Sequence, residues 1–383
     1  MTLAADRPAR PSGPGVASAC VPGWSDRPTR TAPYTVGVLP GEGIGPDVVT
    51  AALTVLDAVG DAFGLTFDVQ TSEELAPAGP HGRTLDPRTA EFFDGLFAAG
   101  APAFCGAVSG RFVYELRAHF ELYCKLVPVR PLPVLADASI VRPERISGVD
   151  VLIVRDNMGG LYQGRFGRRD GGRVAYQEAV YDIDQIDRLL DVALRAATAR
   201  RGQLAVVTKS GGIPEVSALW RERAYAAAKG SDVVLEELEV DNACFQLVAD
   251  PRRFDVVAAP NMLGDVVADT AALILGSRGM SLSANFGHDG RAVYQTGHGA
   301  AYDLAGTDRA NPVAQIQSLA MLLRESLGLP DAARAVEGAV VASLATGVRT
   351  VDIAGPESTI VGTRGLAECI AANVANAAAS ATQ

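Results

Sequence analysis

From residue 34 onward the sequence alternates short apolar runs with amphipathic stretches, and this alternation constrains the fold more than any other feature. Apolar runs typical of buried strands occupy residues 34–39, 149–154, 204–207 and 254–259. Helical spacing of apolar residues occurs at residues 47–59, 313–327, 332–344 and 366–378. Strands that alternate with helices predict an α/β fold built on a layered sheet.

Composition excludes several classes of function. The chain has 383 residues and a formal net charge of −10, which argues against binding to nucleic acid or to an anionic membrane surface. Its five cysteines are scattered, with neither metal-ligand spacing nor a disulfide framework, so we predict a reducing, cytoplasmic location. No apolar run is long enough to span a membrane.

Residues 1–33 differ in composition from the rest of the chain. They contain six prolines and almost no apolar periodicity, which predicts a disordered extension. A transit peptide is the alternative, because the segment contains arginines and few acids. The prolines would break the amphipathic helix that such a peptide needs.

Three aspartates form a candidate metal site. Asp265 and Asp269 are four residues apart in a segment with helical spacing, so both carboxylates project from one face. Asp241 ends an apolar-alternating run and could approach them in the fold. Carboxylates without nearby His or Cys favour Mg²⁺ or Mn²⁺ over zinc. The alternative is an N-capping aspartate on a solvated helix face.

A glycine-rich turn at residues 41–46 follows the first strand and opens a helix. Its spacing is G-x-G-x-G rather than the G-x-G-x-x-G of dinucleotide-binding folds, and no acidic residue ends a second strand at the right distance. The alternative is a tight strand-to-helix turn with Pro46 near the helix start. By itself this turn is weak evidence for a nucleotide.

Several segments, in one order along the chain, resemble the metal-dependent β-decarboxylating dehydrogenases, which act on isopropylmalate, isocitrate, tartrate and D-malate. The segments are VLPGEGIGPD (38–47), the arginine-bearing stretch 116–130, RDNMGGLYQG (155–164), TKS (208–210), the aspartate segments VDNACFQL (240–247) and NMLGDVVAD (261–269), and HGAAYDLAG (298–306) with ANP (310–312). The similarity extends from about residue 34 to the C-terminus.

The resemblance implies roles for individual residues. Lys209 would be the base for the substrate hydroxyl, with a depressed pKa, and Tyr162 would protonate the enol carbon. Arg117 and Arg155 would bind substrate carboxylates by bidentate pairing. Asp241, Asp265 and Asp269 would hold Mg²⁺ or Mn²⁺. Outside this context, a lone tyrosine after two glycines usually packs and a lone lysine after a strand is usually solvated.

The cofactor is expected to be NAD. The resemblance implies that the loop containing His298, Gly299, Asp303 and Asn311 binds it, with Asp303 accepting hydrogen bonds from the adenosine ribose. A carboxylate at this position would repel the 2′-phosphate of NADP. Without the flanking motif, Asp303 would be equally well explained as a loop or capping residue.

The resemblance also implies the architecture. A parallel-type α/β sheet would be split by a smaller domain, with residues 34–122 and 277–383 in the large cofactor-binding domain and residues 123–276 in the small one. The small domain would make the contacts of a homodimer. Asp241 and Lys209 would reach the metal site of the neighbouring subunit, so the two active sites would be shared.

Three departures from the family pattern concern the substrate. Val127 stands where the family has a third arginine, and Lys125, two residues earlier, could supply the missing charge. Gly211 replaces an asparagine expected near the nicotinamide. The specificity segment between residues 106 and 117 is short, and it places Val113 and Tyr114 where they would face the C3 substituent.

These features predict NAD- and metal-dependent oxidative decarboxylation of a 3-substituted malate-type 2-hydroxy acid, with a variant substrate. Two alternatives stay open. One is a non-catalytic or regulatory subunit of the same family, favoured by Val127 and Gly211. The other is oxidation without decarboxylation, if the substrate lacks a C3 carboxylate.

Overall fold

The computed structural model describes residues 15–25, 30–75 and 82–381. Its strands are β1 (Tyr34–Leu39), β2 (Phe67–Thr71), β3 (Ala103–Cys105), β4 (Cys124–Val129), β5 (Val151–Asp156), β6 (Phe166–Arg169), β7 (Val174–Gln177), β8 (Gln203–Thr208), β9 (Val234–Glu239), β10 (Val256–Ala259), β11 (Leu282–Phe286), β12 (Ala292–Thr296), β13 (Val348–Arg349) and β14 (Thr359–Ile360). Its helices are α1 (Val16–Cys20), α2 (Gly45–Phe63), α3 (Pro87–Ala98), α4 (Phe112–His119), α5 (Pro143–Ile146), α6 (Ile183–Ala199), α7 (Pro214–Ala228), α8 (Val240–Ala249), α9 (Asn261–Ala271), α10 (Val313–Glu325), α11 (Pro330–Ala345) and α12 (Thr363–Ala381).

A ten-stranded sheet runs through the molecule in the order β2-β1-β3-β12-β11-β4-β5-β10-β8-β9. The predicted α/β class is therefore confirmed. The sheet is mixed rather than parallel throughout, because β11 runs antiparallel to both of its neighbours and β4 runs antiparallel to β5. The other neighbouring strands within this sheet pair in parallel.

The strands and helices predicted from apolar periodicity are all present, with ends shifted by a few residues. The predicted helices 47–59 and 332–344, for example, extend to Gly45–Phe63 and Pro330–Ala345. Both gain a proline in the first turn, where its missing N–H costs no hydrogen bond. Apolar periodicity predicted these elements well because each presents a continuous apolar face to the core.

Four neighbouring strands position the candidate site. β5, β10, β8 and β9 are parallel, so their carboxyl ends lie along one edge of the sheet. Polar residues follow each of these ends, which is where ligands bind in open α/β sheets. Neighbouring strands are separated by about 4.8 Å, so the ends of β5 and β8 are roughly 10 Å apart.

The N-terminal segment differs from the prediction. Residues 15–25, expected to belong to a disordered extension, contain helix α1 and pack on the core, with Ala17, Cys20 and Trp24 at 0%, 1% and 3% exposure. The amides of Ala17 and Ser18 donate to the Glu325 carboxylate at 3.1 and 3.2 Å, and the indole of Trp24 donates to the Glu325 carbonyl oxygen. Residues 1–14 and 26–29 lie outside the described residues.

The indole of Trp24 also meets the ring of Phe286 edge-on at 4.8 Å. Composition missed this docking because a few well-placed apolar side chains suffice for it, and the many prolines conceal them. The division into two domains, with boundaries at residues 122/123 and 276/277, stays a prediction. Among the described helices, none has the length and apolar character required to traverse a lipid bilayer.

Candidate active site

A buried group of residues forms at the carboxyl end of β5. The guanidinium of Arg155, whose side chain is 2% exposed, pairs with the carboxylate of Asp265 and donates to Asn261 Oδ1 at 3.0 Å. The hydroxyl of Tyr162 donates to the other oxygen of Asp265 at 3.0 Å. The fold therefore brings together a predicted substrate arginine, the predicted catalytic tyrosine and a predicted metal ligand.

Two further cations are buried near this group. Lys125 on β4 is 5% exposed and stands directly opposite Arg155 in the antiparallel register, while Arg117 at the end of α4 is 4% exposed. The Nε of Arg117 has no hydrogen-bond partner, and no side-chain hydrogen bond or ion pair of Lys125 occurs in the described parts of the chain. Because no described residue supplies an anion that pairs with them, both cations are suited to bind one.

Burial and neighbouring charges shift the pKa values of Arg117, Lys125 and Asp265. Burial, and then the charge of Arg155, lower the pKa of Arg117 to about 9. Burial also lowers the pKa of Lys125 well below its ordinary range, helped by both arginines. Burial opposes ionisation of Asp265, but the charges of Arg155 and Lys125 outweigh it, so the pKa of Asp265 lies below its ordinary value.

Tyr162 has the opposite shift. Burial, and then the negative charge of Asp265, raise the pKa of its phenol, so Tyr162 keeps its proton at any physiological pH. Its ring lies 5.0 Å from that of Tyr114, centroid to centroid, and the guanidinium of Arg155 lies 5.8 Å from the ring centroid. A protonated phenol with fixed surroundings can act as a proton donor.

Lys209 and Asp241 form a separate, exposed pair. The Lys209 ammonium donates to Asp241 Oδ1 at 2.5 Å and lies 3.5 Å from the Glu239 carboxylate. The side chain of Lys209 is 40% exposed and that of Asp241 is 70% exposed. In the single chain the hydrogen bond to Asp241 raises the pKa of Lys209, and the depressed pKa predicted for this lysine beside a metal and arginines stays a prediction.

The three predicted metal ligands do not meet in one chain. Asp265 and Asp269 lie one turn apart on α9, as predicted, and Asp269 pairs with Arg278. Asp241 follows β9, three strands away from β5, and the described residues contain no cluster of three His, Cys, Asp or Glu side chains able to hold a metal. Within one chain Asp241 therefore does not complete a metal site with the other two, and its place in the site of a neighbouring subunit stays a prediction.

The donors that are present nevertheless fit Mg²⁺ or Mn²⁺ chemically. Asp265 and Asp269 offer carboxylate oxygens from one helix face, at 37% and 46% side-chain exposure, and the lowered pKa of Asp265 keeps it ionised. Hard cations prefer such an all-oxygen donor set. Two carboxylates are an incomplete protein contribution, so a further ligand must come from elsewhere.

The predicted cofactor loop is tied to the start of α2. The carbonyl of Ala300 accepts from the amide of Ile44 at 2.8 Å, and the amide of Gly306 donates to the Asp47 carboxylate. Gly43 has a φ of +61°, and a Cβ there would lie 2.0 Å from the carbonyl oxygen of Ala300. The glycine-rich turn is thus a tight strand-to-helix turn that allows the cofactor loop to pack closely.

The four predicted cofactor residues have different environments. Asp303 is exposed, and a Cβ added at Gly299 would meet nothing within 4 Å. The Nε2 of His298 is buried without a hydrogen-bond partner among the described residues, and burial lowers the pKa of its ring. Asn311 is buried, donates to Asp352 and accepts from the amide of Val313. Their roles toward NAD stay predictions.

The positions that depart from the family pattern are also placed. Val113 is half-buried and packs on the apolar cluster around Phe112, whereas Tyr114 lies against Tyr162. Val127 is 2% exposed and belongs to the main core, so it offers the site no charge. A Cβ added at Gly211 would meet nothing within 4 Å, so the missing side chain leaves open space.

Sequence reasoning missed several residues that shape this site. Asn261 begins α9 and binds Arg155, while its own amide donates to the hydroxyl of Tyr181. The carboxylate of Asp156 accepts from the amides of Met158 and Gly159 and shapes the loop that leads to Tyr162. Gln163 donates to two carbonyl oxygens beside Tyr162. All three lie next to predicted site residues, which was the available signal.

Comparisons with known proteins agree with the resemblance noted in the sequence. The family described as isocitrate/isopropylmalate dehydrogenase matches residues 35–370. A 3-isopropylmalate dehydrogenase of Gloeobacter violaceus is 42% identical over 358 residues, covering 88% of this chain and 96% of that protein. The chloroplastic 3-isopropylmalate dehydrogenase 1 of Arabidopsis thaliana is 38% identical over 357 residues, covering 88% of this chain and 85% of that protein.

Solved structures give the same result for the fold. A crystal structure of isocitrate dehydrogenase from Methylococcus capsulatus superposes with a TM-score of 0.77 at 31% identity, covering 89% of this chain and 99% of that one. The crystal structure of a protein from Thermus thermophilus superposes with a TM-score of 0.79 at 26% identity, covering 91% of this chain and 69% of that one.

Proposed function

Because the chain belongs to the isocitrate/isopropylmalate dehydrogenase family, we propose that it catalyses NAD- and Mg²⁺- or Mn²⁺-dependent oxidative decarboxylation of a 3-substituted malate-type 2-hydroxy acid. The observation that supports this most directly is the contact of Tyr162 and Arg155 with the same carboxylate, that of Asp265. It joins a proton donor, an anion-binding group and a metal ligand in one place.

The proposed reaction has a simple balance. The C2 hydrogen leaves as hydride to NAD, the hydroxyl proton passes to a base, CO₂ leaves from C3, and a proton takes its place. When bound, Mg²⁺ or Mn²⁺ supplies a Lewis acid that acidifies the hydroxyl and stabilises the enolate. Asp265 and Asp269 would be its ligands from this chain.

The side chains of the buried group divide the remaining tasks. Arg117 and Arg155 bind substrate carboxylates, and Lys125 replaces the family's third arginine as a point charge without the planar fork. Tyr162 donates the proton to C3 of the enol, which its raised pKa suits, because the phenol is protonated before each turnover. Asp303 selects NAD through the ribose hydroxyls. The variant side chains Val113 and Tyr114 would contact the C3 substituent.

Lys209 and Asp241 would act in the active site of a second copy, Lys209 as the base and Asp241 as a metal ligand. Two observations support a homodimer with shared sites. Asp241 forms no metal-binding cluster with the other two aspartates among the described residues of its own chain. Large apolar side chains on and beside α8 and α9 are exposed, with Phe245 at 67%, Val266 at 48% and Leu273 at 44%. Burial of such residues between subunits is favourable.

The test is production of NADH and CO₂ with Mn²⁺ from malate, tartrate, isopropylmalate, isocitrate and alkyl- or phenyl-substituted malates, with and without a chelator. We expect chelator-sensitive turnover of one acid, with equal amounts of NADH and CO₂. Tyr162→Phe is the matched control, because it removes one oxygen. NADH without CO₂ would replace the proposal by simple oxidation, and no turnover by a dimeric, metal-bound protein would favour a non-catalytic subunit.

A further inference from the structure

Two side chains tie the loop that contains Tyr162 to helix α4. The amide Nε2 of Gln163 donates to the carbonyl oxygens of Tyr114 at 2.9 Å and of Asn157 at 3.0 Å. From the other side, the Nη1 of Arg111 donates to the carbonyl oxygen of Tyr162 itself at 3.0 Å. The backbone around Tyr162 is therefore held by one hydrogen bond from the residue that precedes α4 and by one to the first turn of that helix.

The guanidinium of Arg111 makes several further contacts in this region. Its guanidinium lies over the rings of Tyr114 and Phe166, at 5.5 and 5.1 Å from their centroids, and 4.0 Å from the Glu115 carboxylate. The Arg111 guanidinium thus contacts the loop, α4 and β6 through one N–H donor and the faces of two rings. Arg111 therefore belongs to the support of the site.

The backbone of the loop provides only part of this support, through hydrogen bonds from the amides of Gly160 and Gly164 to the carbonyl oxygens of Val180 and Gly160. Residues 157–165 form turns and bends rather than helix or strand, and Gly160 has a φ of +71°. A tyrosine on such a segment keeps its hydroxyl 3.0 Å from Asp265 only if the segment is fixed by other contacts. Displacement of a catalytic group by about 1 Å can cost roughly 100-fold in rate.

We propose that Gln163 and Arg111 are positioning residues that hold Tyr162 at Asp265 and couple its position to Tyr114, the side chain proposed to face the C3 substituent. The proposal rests on the proposed function in assigning proton donation to Tyr162. A substrate substituent that moves Tyr114 would then move Tyr162 as well, because Gln163 binds the carbonyl of Tyr114 and directly follows Tyr162 in the chain. The identity of the substituent would thus change kcat and not only KM.

The chemistry at position 163 makes the tie specific for an amide. The Gln163 side chain provides two N–H donors, and both accepting atoms are carbonyl oxygens. Glutamate has the same shape but would place a carboxylate against two carbonyl oxygens, and leucine can donate to neither. Gln163→Glu and Gln163→Leu are therefore independent ways to remove the tie. Gln70→Leu, on the edge strand β2, is the matched control, since the side chain of Gln70 donates to the neighbouring Asp68 on the same exposed strand.

The experiment measures two properties of the full-length protein. The first is amide hydrogen exchange of residues 157–164 without substrate, which we expect to become at least tenfold faster in both Gln163 variants and to stay unchanged in Gln70→Leu. The second is steady-state kinetics with the acid that the wild type oxidises. We expect kcat to fall about 10- to 100-fold while KM changes less than about threefold, because Tyr162 acts after substrate binding.

Either measurement can overturn the proposal. Unchanged exchange would show that Gln163 does not hold the loop, and faster exchange with a wild-type kcat would show that the loop does not position Tyr162. A rise in KM alone would make Gln163 a binding residue instead. If the wild type oxidises no acid, the proposed function fails, and exchange alone still decides whether the tie exists.

Discussion

Asp265 and Asp241 are both predicted metal ligands at the same edge of the sheet, yet the chain holds them differently. Asp265 is bound on both oxygens, by Arg155 and by Tyr162, and two further buried cations lie near it. Asp241 is 70% exposed and contacts Lys209, itself 40% exposed. One half of the site is held by contacts within its own chain, and the other half is presented outward.

In the proposed shared site, the two halves would therefore have different roles. The inward half provides buried charges that no residue of the described chain fully neutralises, so its stability depends on ligands. The outward half contributes little to its own chain, because exposed ion pairs are weak and screened by salt. We expect substitutions in the inward half to change stability and activity, and substitutions in the outward half to change activity alone.

The largest contrast is expected between Asp265→Asn and Asp241→Asn. Both should reduce kcat/KM by about 1000-fold or more, since each removes a metal ligand. Asp265→Asn should also cost about 2 kcal/mol of stability, because the buried guanidinium of Arg155 loses the carboxylate with which it pairs. Asp241→Asn should leave Tm within about 2 °C of the wild type. Urea unfolding of the metal-free proteins checks this, and equal stability losses would contradict the division.

Mixing inactive variants tests whether the outward half serves another chain. Tyr162→Phe and Asp241→Asn should each be nearly inactive alone. In a heterodimer with shared sites, one site would receive both wild-type residues, so random exchange should restore roughly a quarter of wild-type activity. Refolding the variants together and separately provides the measurement and its control. Activity that stays at the level of the separate variants would place both residues in the site of one chain.

Lys125→Met probes the uncompensated charge of the inward half. It removes a buried cation that faces Arg155 and has no carboxylate partner among the described residues, so the free protein should gain about 1–3 kcal/mol of stability. KM for the anionic substrate should rise about tenfold or more, because one anion contact is lost. Lys209→Met is the comparison from the outward half. Destabilisation by Lys125→Met would show that the lysine has a partner in the free protein.

The last effect is confined to a pH dependence of stability, which arises from Asp156. Burial raises its pKa from 3.8 to about 6, against the opposing hydrogen bonds of Gly159 and Met158. The folded protein therefore binds a proton between about pH 4 and 6 that the unfolded chain has released, so stability falls as pH rises through this window and is level above it.

Asp156→Asn removes this titration, so its free energy of unfolding should change with pH by up to about 3 kcal/mol less than that of the wild type. Urea unfolding of both proteins at several pH values from 4 to 8 provides the comparison. Asp241→Asn is the control, since its exposed carboxylate is held by Lys209 at the surface. If the free energies of unfolding of the wild type and of Asp156→Asn depend on pH in the same way, the proton binds to another group.

The sequence was sufficient to predict what depends on local pattern. The pairing of Asp265 with Asp269 on one helix follows from their spacing, and the placement of polar residues after β5, β8 and β10 follows from strand order. The contact of Tyr162 with Asp265 joins residues 103 positions apart, so only the family resemblance implied it.

Other features depend on packing between distant residues and could not be predicted locally. The raised pKa of Lys209 reflects carboxylates on a neighbouring strand and helix, and the separation of Asp241 from Asp269 reflects the order of strands in the sheet. Proline content misled the interpretation of residues 15–25. Helix α1 is stable there because its partner Glu325 lies on α10, and composition has no information about such a partner.

The hydrogen bond between Ala17 and Glu325 joins residues 308 positions apart in the chain, so it can form only late in synthesis. During synthesis, Trp24 and its neighbours emerge about 300 residues before the helix that receives them, at roughly 5–20 residues per second. Helix α6, against which α1 also packs, is synthesised earlier, but the hydrogen bonds of this segment to Glu325 must wait for α10. Their formation marks a chain in which α10 has been completed.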